Sequence, residues 1–243
     1  MDFVDITVSL IALIILEIVL GIDNLVFLSI LTEKLPSNKR KKARRWGLTF
    51  AWMTRLLLLA AAVFLVKLTK PLVVINDLSF SARDIFLLIG GAFLIWKATD
   101  EIHQEVSDHS LASSTIKKPY SAATFRGVVI QVALMDIIFS LDSVLTAVGL
   151  TNRYWVMGLA ITCAVLVMIY ASELVSQFIT AHPSIKMLAL SFLILIGMVL
   201  IADGLSFHVP RGYVYFAMGF SLAVESLNLY KHARKKRKKS LRK

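Results

Sequence analysis

Carboxylate side chains lie inside long apolar segments of this 243-residue chain. One segment contains Glu17 and Asp23, and a later one contains Asp136 and Asp142. An acid at the centre of a bilayer costs about 2.5–3.5 kcal/mol on insertion scales, so four such acids oppose much of the stability of a typical fold. A cation, a proton or a buried counterion must offset this cost. A path for a cation or a proton is the usual role of such residues.

The side chains around these acids favour a hard divalent cation. Asn24 directly follows Asp23, and Ser143 directly follows Asp142, so amide and hydroxyl oxygens accompany the carboxylates. All five histidines lie outside the apolar segments, and Cys163 is the single cysteine. Zinc and copper prefer imidazole and thiolate, whereas Mg²⁺, Ca²⁺ and Mn²⁺ accept these oxygens. We therefore expect a transported divalent cation and no permanently bound cofactor.

The two acidic segments form an internal repeat. Residues 17–25 and 136–144 each carry an acid, five residues, a second acid and a small polar residue, at a constant offset of 119. The second copy lies three predicted helices after the first, with two spans between them, so the copies cross the membrane in opposite directions, as in the inverted repeats of many transporters. We predict one shared site: the second acid and its polar neighbour in each copy bind the ion, and the first acid completes the site or hands the ion over. The predicted metal ligands are Asp23, Asn24, Glu17, Asp142, Ser143 and Asp136.

The spacing within each copy raises a geometric problem. Positions six apart in a continuous helix are turned by about 240° and separated by about 9 Å along the axis. One ion cannot bind both at metal–oxygen distances of about 2.0–2.6 Å. Either the first helix unwinds near Gly21, or the two acids occupy different positions on a path.

Three further polar residues are candidates for the path or for its support. Arg55 lies within the second apolar segment and can neutralise an acid in a static ion pair, although one arginine cannot neutralise four acids. Glu225 and Asn228 share a face of the last segment, where they either line the path or pack against another helix. A proteolytic aspartate dyad is disfavoured because neither acidic segment has a Gly-x-Gly-Asp sequence, and we expect no enzymatic activity.

The composition indicates that these residues belong to a membrane protein. Hydrophobic residues make up 57% of the chain, charged residues 18%, and the mean hydropathy is +0.73. We predict an all-α polytopic membrane protein with about seven transmembrane helices and an inverted three-helix repeat. The predicted spans are residues 6–31, 46–66, 84–98, 125–150, 155–174, 185–205 and 212–230.

These spans form one predicted transmembrane domain, residues 1–230. Repeat one covers about 6–102, repeat two about 125–205, and an extra helix covers 212–230. The third helix of repeat two is ambiguous. Gly91 matches Gly219 at an offset of 128, but Leu88–Gly90 matches Leu195–Gly197 equally well at an offset of 107.

The charge distribution predicts the orientation. If the N-terminus lies outside, 21 of the 27 lysines and arginines lie in cytoplasmic segments, chiefly the first loop and the basic tail at 231–243. We expect anionic lipid to contact both regions. No groove-reading motif accompanies the net charge of +11, so nucleic-acid binding is disfavoured.

The same residues resemble the TerC family of bacterial membrane proteins, and in particular its short YgdQ-like branch without CBS domains. The similarity spans about residues 5–230 and is carried by residues 16–24 (LEIVLGIDN), 136–144 (DIIFSLDSV) and 224–228 (VESLN). It implies an inner-membrane metal-ion transporter, with Mn²⁺ efflux as the best-supported activity of relatives.

In that family the acids of the two repeated segments are the proposed metal ligands, and this chain keeps all four. Some relatives instead assist membrane-protein assembly or the metal loading of exported enzymes. A non-transporting assembly or metallation partner is therefore an alternative, as is an exporter of small organic solutes. A homo-oligomer or a membrane-protein partner is also consistent with the resemblance.

Overall fold

A computed structural model describes residues 3–61, 71–75, 78–111, 124–150 and 154–240. These residues are almost entirely helical, which confirms the all-α prediction. The helices are α1 Phe3–Glu33, α2 Ser37–Ala60, α3 Ala82–Leu111, α4 Phe125–Leu150, α5 Tyr154–Ala181, α6 Pro183–Gly204 and α7 Arg211–Ser240.

Three of these helices are long and apolar enough to cross a bilayer by length and composition alone: Ile6–Glu33, Tyr154–Ala181 and Pro183–Gly204. They coincide with the first, fifth and sixth predicted spans. Each is apolar around its whole circumference, which is typical of a helix that contacts lipid as well as other helices. The second predicted span is described as far as Ala61.

Helices α3 and α7 extend furthest beyond the C-terminal ends of their predicted spans. Helix α3 has 30 residues and continues to Leu111, well past the predicted end at residue 98. Helix α7 continues to Ser240 through most of the predicted basic tail. Lysine, arginine and glutamate are good helix formers, so a helix persists after its apolar span has ended.

A short hairpin between α2 and α3 was not predicted. Strand β1, Pro71–Ile75, pairs antiparallel with β2, Leu78–Ser81, and the pairing shifts between Pro71 and Val73. The β-branched run of Val73, Val74 and Ile75 explains the extended conformation, because such side chains favour strands.

The contact between α3 and α6 is the most extensive in the bundle. A Cβ atom on Gly91 would lie 2.5 Å from the Gly197 carbonyl oxygen, and one on Gly197 would lie 2.9 Å from the Gly91 carbonyl oxygen. Each glycine also meets the residue four positions after the other one, Ile201 for Gly91 and Ile95 for Gly197. This reciprocal contact has the form of a local two-fold axis.

The largest contacts among the other helices follow the same exchange of the two repeats. Gly204, beyond Gly197 on α6, packs against Leu88, which precedes Gly91 on α3, so the two helices are antiparallel. If α1, α2 and α3 exchange places with α4, α5 and α6, the contact between α1 and α5 corresponds to the contact between α4 and α2. Both contacts are extensive. The packing therefore favours α6 over α7 as the counterpart of α3. Helix α7 lies outside this exchange and packs mainly against α6.

Charged side chains tie several helices together at one end of the bundle, which we call the basic end. Lys186 Nζ at the start of α6 lies 3.0 Å from Glu33 of α1 and 2.6 Å from Glu105 of α3. Lys34, just after α1, pairs with the buried Glu101 of α3. We call the opposite end, where the hairpin precedes α3, the hairpin end.

Candidate metal-ion site

A buried ion triad joins α1, α2 and α4. Arg55 Nη1 donates to Glu17 Oε2 at 2.9 Å, and Arg55 Nη2 donates to Asp136 Oδ1 at 2.8 Å. All three side chains are buried: Glu17 and Arg55 are each 3% exposed, and Asp136 is 2% exposed. Glu17 and Asp136 are equivalent positions of the sequence repeat, so one arginine bridges a symmetric pair of acids. Arg55 thus contacts two acids rather than one.

Asp136 is also hydrogen-bonded on both carboxylate oxygens. Asn24 Nδ2 donates to Oδ1 at 2.9 Å, and the Thr54 and Ser140 hydroxyls each donate to Oδ2 at 3.2 Å. Arg55 Nε adds a further bond to Oδ1 at 3.1 Å. With these bonds in place the carboxylate is engaged by protein donors, and an incoming cation must displace some of them.

Asp23 lies apart from the triad. Helix α1 is continuous from Phe3 to Glu33, so Asp23 points in a different direction from Glu17 and lies about 9 Å further along the axis. No hydrogen bond or ion pair joins Asp23 to another residue in the described part of the chain. The two acids of the first copy therefore occupy different positions, which is one of the two arrangements that the spacing allows.

Unwinding near Gly21, the other arrangement that the spacing allows, does not occur. A Cβ atom on Gly21 would lie 2.5 Å from the sulfur of Met168 on α5. The glycine is explained by the close approach of these two helices, not by a break in α1.

The second copy is described in part. Helix α4 is continuous through Asp142 and Ser143, so Asp142 is also turned by about 240° from Asp136. The side chains of Asp142 and Ser143 lie outside the residues whose contacts the structure describes. Their predicted role as ligands stays a prediction.

Two cavities meet at Asp23. A cavity of about 160 Å³ extends toward the basic end between α1, α6 and α7, with Ile30 and Ile185 among its lining residues. A cavity of about 50 Å³ extends toward the hairpin end, with Arg55 and Tyr215 among its lining residues. Both are mainly apolar, and Asp23 and Ile196 line both of them. Asp23, which has no partner among the described residues, therefore borders one cavity toward the basic end and one toward the hairpin end.

Glu225 and Asn228 lie next to each other on α7, as their spacing predicts. Asn228 Nδ2 is 3.5 Å from Glu225 Oε2, and Asn228 is exposed. Neither residue lines the two cavities, although Glu225 follows the cavity-lining Leu222 by one helical turn. The pair lies toward the basic end, beyond the cavity there.

The described charges of the site sum to a formal −2. Glu17, Asp23 and Asp136 contribute three negative charges, and Arg55 contributes one positive charge. Within the described residues, no three His, Cys, Asp or Glu side chains form a group that can hold a metal ion. The arrangement is thus an ion-paired triad with a formal charge of −1 beside Asp23, which forms no ion pair within the described residues.

Thr54 and Ser140, which both donate hydrogen bonds to Asp136, were not predicted as site residues. Thr54 adjoins Arg55, and both face Asp136. The sequence signal for Thr54 was its position as a polar residue next to an intramembrane arginine. Ser140, four residues after Asp136, lies at the position of the second copy that corresponds to Gly21 in the first.

Comparison with known proteins identifies relatives along the whole chain. The family model described as "Integral membrane protein TerC family" matches residues 3–240. The UPF0053 inner membrane protein YgdQ of Escherichia coli K12 is 51% identical over 217 residues, which cover 89% of this chain and 90% of that protein.

Two further relatives differ in length. A UPF0053 protein of Haemophilus influenzae is 47% identical over 222 residues, which cover 91% of this chain and 92% of the relative. The UPF0053 protein YegH of E. coli K12 is 48% identical over 220 residues, but the match covers only 41% of that protein. No solved structure matches the chain.

Proposed function

The chain belongs to the TerC family of integral membrane proteins, and from this premise we propose that it transports a divalent metal ion, with Mn²⁺ efflux from the cytoplasm as its activity. The chain is a membrane protein, and its relatives include inner membrane proteins by name. The basic end then faces the cytoplasm, because lysines and arginines accumulate on that side.

The observation that carries this proposal is the environment of Asp23. Its carboxylate lies within a spanning helix, has no partner in the described part of the chain, and faces two cavities that extend toward opposite ends of the bundle. A permanent structural role would give such an acid a counterion, as Glu17 and Asp136 have in Arg55. A cation that arrives and leaves explains why Asp23 has none.

The charges support a cation as the substrate. Glu17, Asp23, Asp136 and Arg55 sum to a formal −2, and Asp142 makes the charge of the proposed site −3. The oxygen ligands suit Mn²⁺, Mg²⁺ and Ca²⁺. In the proposed cycle Asp23 is the first ligand, and Asn24, Asp142 and Ser143 complete the site. Glu17 and Asp136 join it only when Arg55 releases them.

A metal panel in proteoliposomes tests the proposal. We expect Mn²⁺ flux by the wild-type protein and at least a tenfold loss in both Asp23→Asn and Asp142→Asn, with normal membrane insertion. Glu173→Gln is the matched control, because Glu173 pairs with Arg44 at the basic end and lines neither cavity. A wild-type protein that moves no divalent cation under any pH gradient contradicts the proposal and favours the assembly or metallation role.

One observation favours a second candidate, the export of small organic solutes. Asp23 and Arg55 line the same mainly apolar cavity, and these two groups match the ammonium and carboxylate of an amino acid. Addition of amino acids to the Mn²⁺ flux assay separates the candidates. Competition, together with uptake of a labelled amino acid, identifies an organic solute as the substrate, whereas unchanged Mn²⁺ flux favours the metal.

A further inference from the structure

The cavity on the basic side of Asp23 has one wall that belongs to neither repeat. Met218, Gly219 and Leu222 of α7 face residues of α1 and α6 across this space. Val214 and Tyr215, one to two turns earlier on α7, line the smaller cavity on the hairpin side. Helix α7 therefore borders the space on both sides of Asp23.

Polar groups lie beyond the two far ends of this space. Toward the basic end, Glu225 is one turn past Leu222 on α7. Toward the hairpin end, Asp203 is one turn past the cavity-lining Val199 on α6, where it accepts a hydrogen bond from the Val209 amide at 3.2 Å. The two cavities together form a mainly apolar crevice with Asp23 in its middle, and one acid lies beyond each end of it.

We infer that the transported cation passes through the crevice between α1, α6 and α7, and that α7 is a wall of this route. The inference rests on the proposed function and identifies where the ion moves. The cavity walls around Asp23 offer few ligands, so they do not retain the ion before it reaches the carboxylate. Apolar passages of this kind gate ions by filling with water or drying.

Two small residues on opposite walls allow the route to be blocked. Ala189 of α6 and Gly219 of α7 both line the cavity on the basic side. A Cβ atom on Gly219 would meet no atom within 4 Å, so a larger side chain fits there without disturbing the helix. Gly212 is the matched control, because it lies on the same helix with the same free space and lines neither cavity.

We expect Ala189→Phe and Gly219→Leu each to lower Mn²⁺ flux in proteoliposomes at least tenfold, with flux within twofold of wild type for Gly212→Leu. Thermal unfolding of each purified variant verifies the fold, and Ala189→Leu and Gly219→Val replace any variant that fails to fold. Full flux in both blocking variants overturns the route. Loss of flux in the Ala189 variant alone overturns the assignment of α7 as a wall.

A second measurement does not depend on metal transport. Cys163 is the single cysteine, so Cys163→Ser provides a background for introduced thiols. In this background Met218→Cys should react with a water-soluble thiol reagent at least tenfold faster than Phe220→Cys, which is exposed on α7 and lines neither cavity. Equal, slow reaction at both positions overturns the inference even if the wild-type protein transports Mn²⁺. An inactive wild-type protein instead contradicts the proposed function.

Discussion

Asp23 and Arg55 face the same cavity, yet neither a hydrogen bond nor an ion pair joins them. Arg55 binds Glu17 and Asp136 instead, at 2.9 and 2.8 Å. Arg55 therefore pairs with the first acid of each repeat, and Asp23 has no ion pair among the described residues. This difference is the basis for proposing Asp23 as the first ligand of the substrate and Arg55 as its support.

Neutralising Asp23 and neutralising Asp136 should change stability in opposite directions. Asp23→Asn removes an unpaired charge that costs about 2.5–3.5 kcal/mol in a membrane, so the unfolding temperature in detergent should rise. Asp136→Asn removes the negative charge that pairs with Arg55 and replaces one accepting oxygen with an NH2 donor, so the unfolding temperature should fall. A lower unfolding temperature for Asp23→Asn would show that this side chain has a protein partner.

Removal of Arg55 should destabilise the bundle strongly. Arg55→Met leaves two buried acids without their cation, and loss of one partner of a buried ion pair costs about 3–5 kcal/mol. Arg55→Lys keeps the charge but cannot form the same forked contacts, so we expect a smaller loss. Thermal unfolding of both variants in one detergent gives the comparison. Equal stability of Arg55→Met and wild type would rule out a supporting role.

The reciprocal glycine contact should not tolerate a large side chain. Gly197→Leu forces α3 and α6 apart, because a Cβ atom there already lies 2.9 Å from the Gly91 carbonyl oxygen. We expect a loss of roughly 1–3 kcal/mol or more from overpacking. Gly212→Leu, in open space, serves as the control in the same unfolding assay. Equal effects of the two substitutions would contradict the close packing of α3 and α6.

Lys186 should stabilise the basic end in a salt-dependent manner. Lys186→Met removes the cation that ties Glu33 of α1 to Glu105 of α3. The three side chains are partly exposed, so we expect a loss of only about 1 kcal/mol, which shrinks as salt is added. Lys231→Met, at an exposed position, should have no measurable effect. A loss that is independent of salt would indicate a packing effect instead.

The charge distribution predicts which end faces the cytoplasm. A green fluorescent protein fused after residue 243 should fluoresce, because this reporter folds in the cytoplasm. Alkaline phosphatase inserted at residues 151–153 should be active, because it requires the opposite compartment. The reverse pattern would exchange the entrance and the exit of the proposed route and would turn efflux into uptake.

The sequence alone determined the membrane environment, the helical fold and the residues that can carry charge. Apolar runs of spanning length require helices, because backbone groups must bond within the segment in lipid. The repeat at an offset of 119 also identified Glu17 and Asp136 as equivalent before any contact was known. The third helix of the second repeat was left open, since apolar matches in membrane segments are weak.

Only the tertiary structure decided which acids are neutralised and which helices pack together. Sequence spacing fixes directions around one helix, but Arg55 meets Glu17 and Asp136 because three separate helices converge on it. Glycines in a sequence permit either a bend or a close contact, and packing partners determine which one forms. Gly21 accommodates Met168, and Gly91 accommodates Gly197. Asp23 was one acid among four in the sequence, and only the packing of the helices showed that it has no partner among the described residues, whereas Glu17 and Asp136 pair with Arg55.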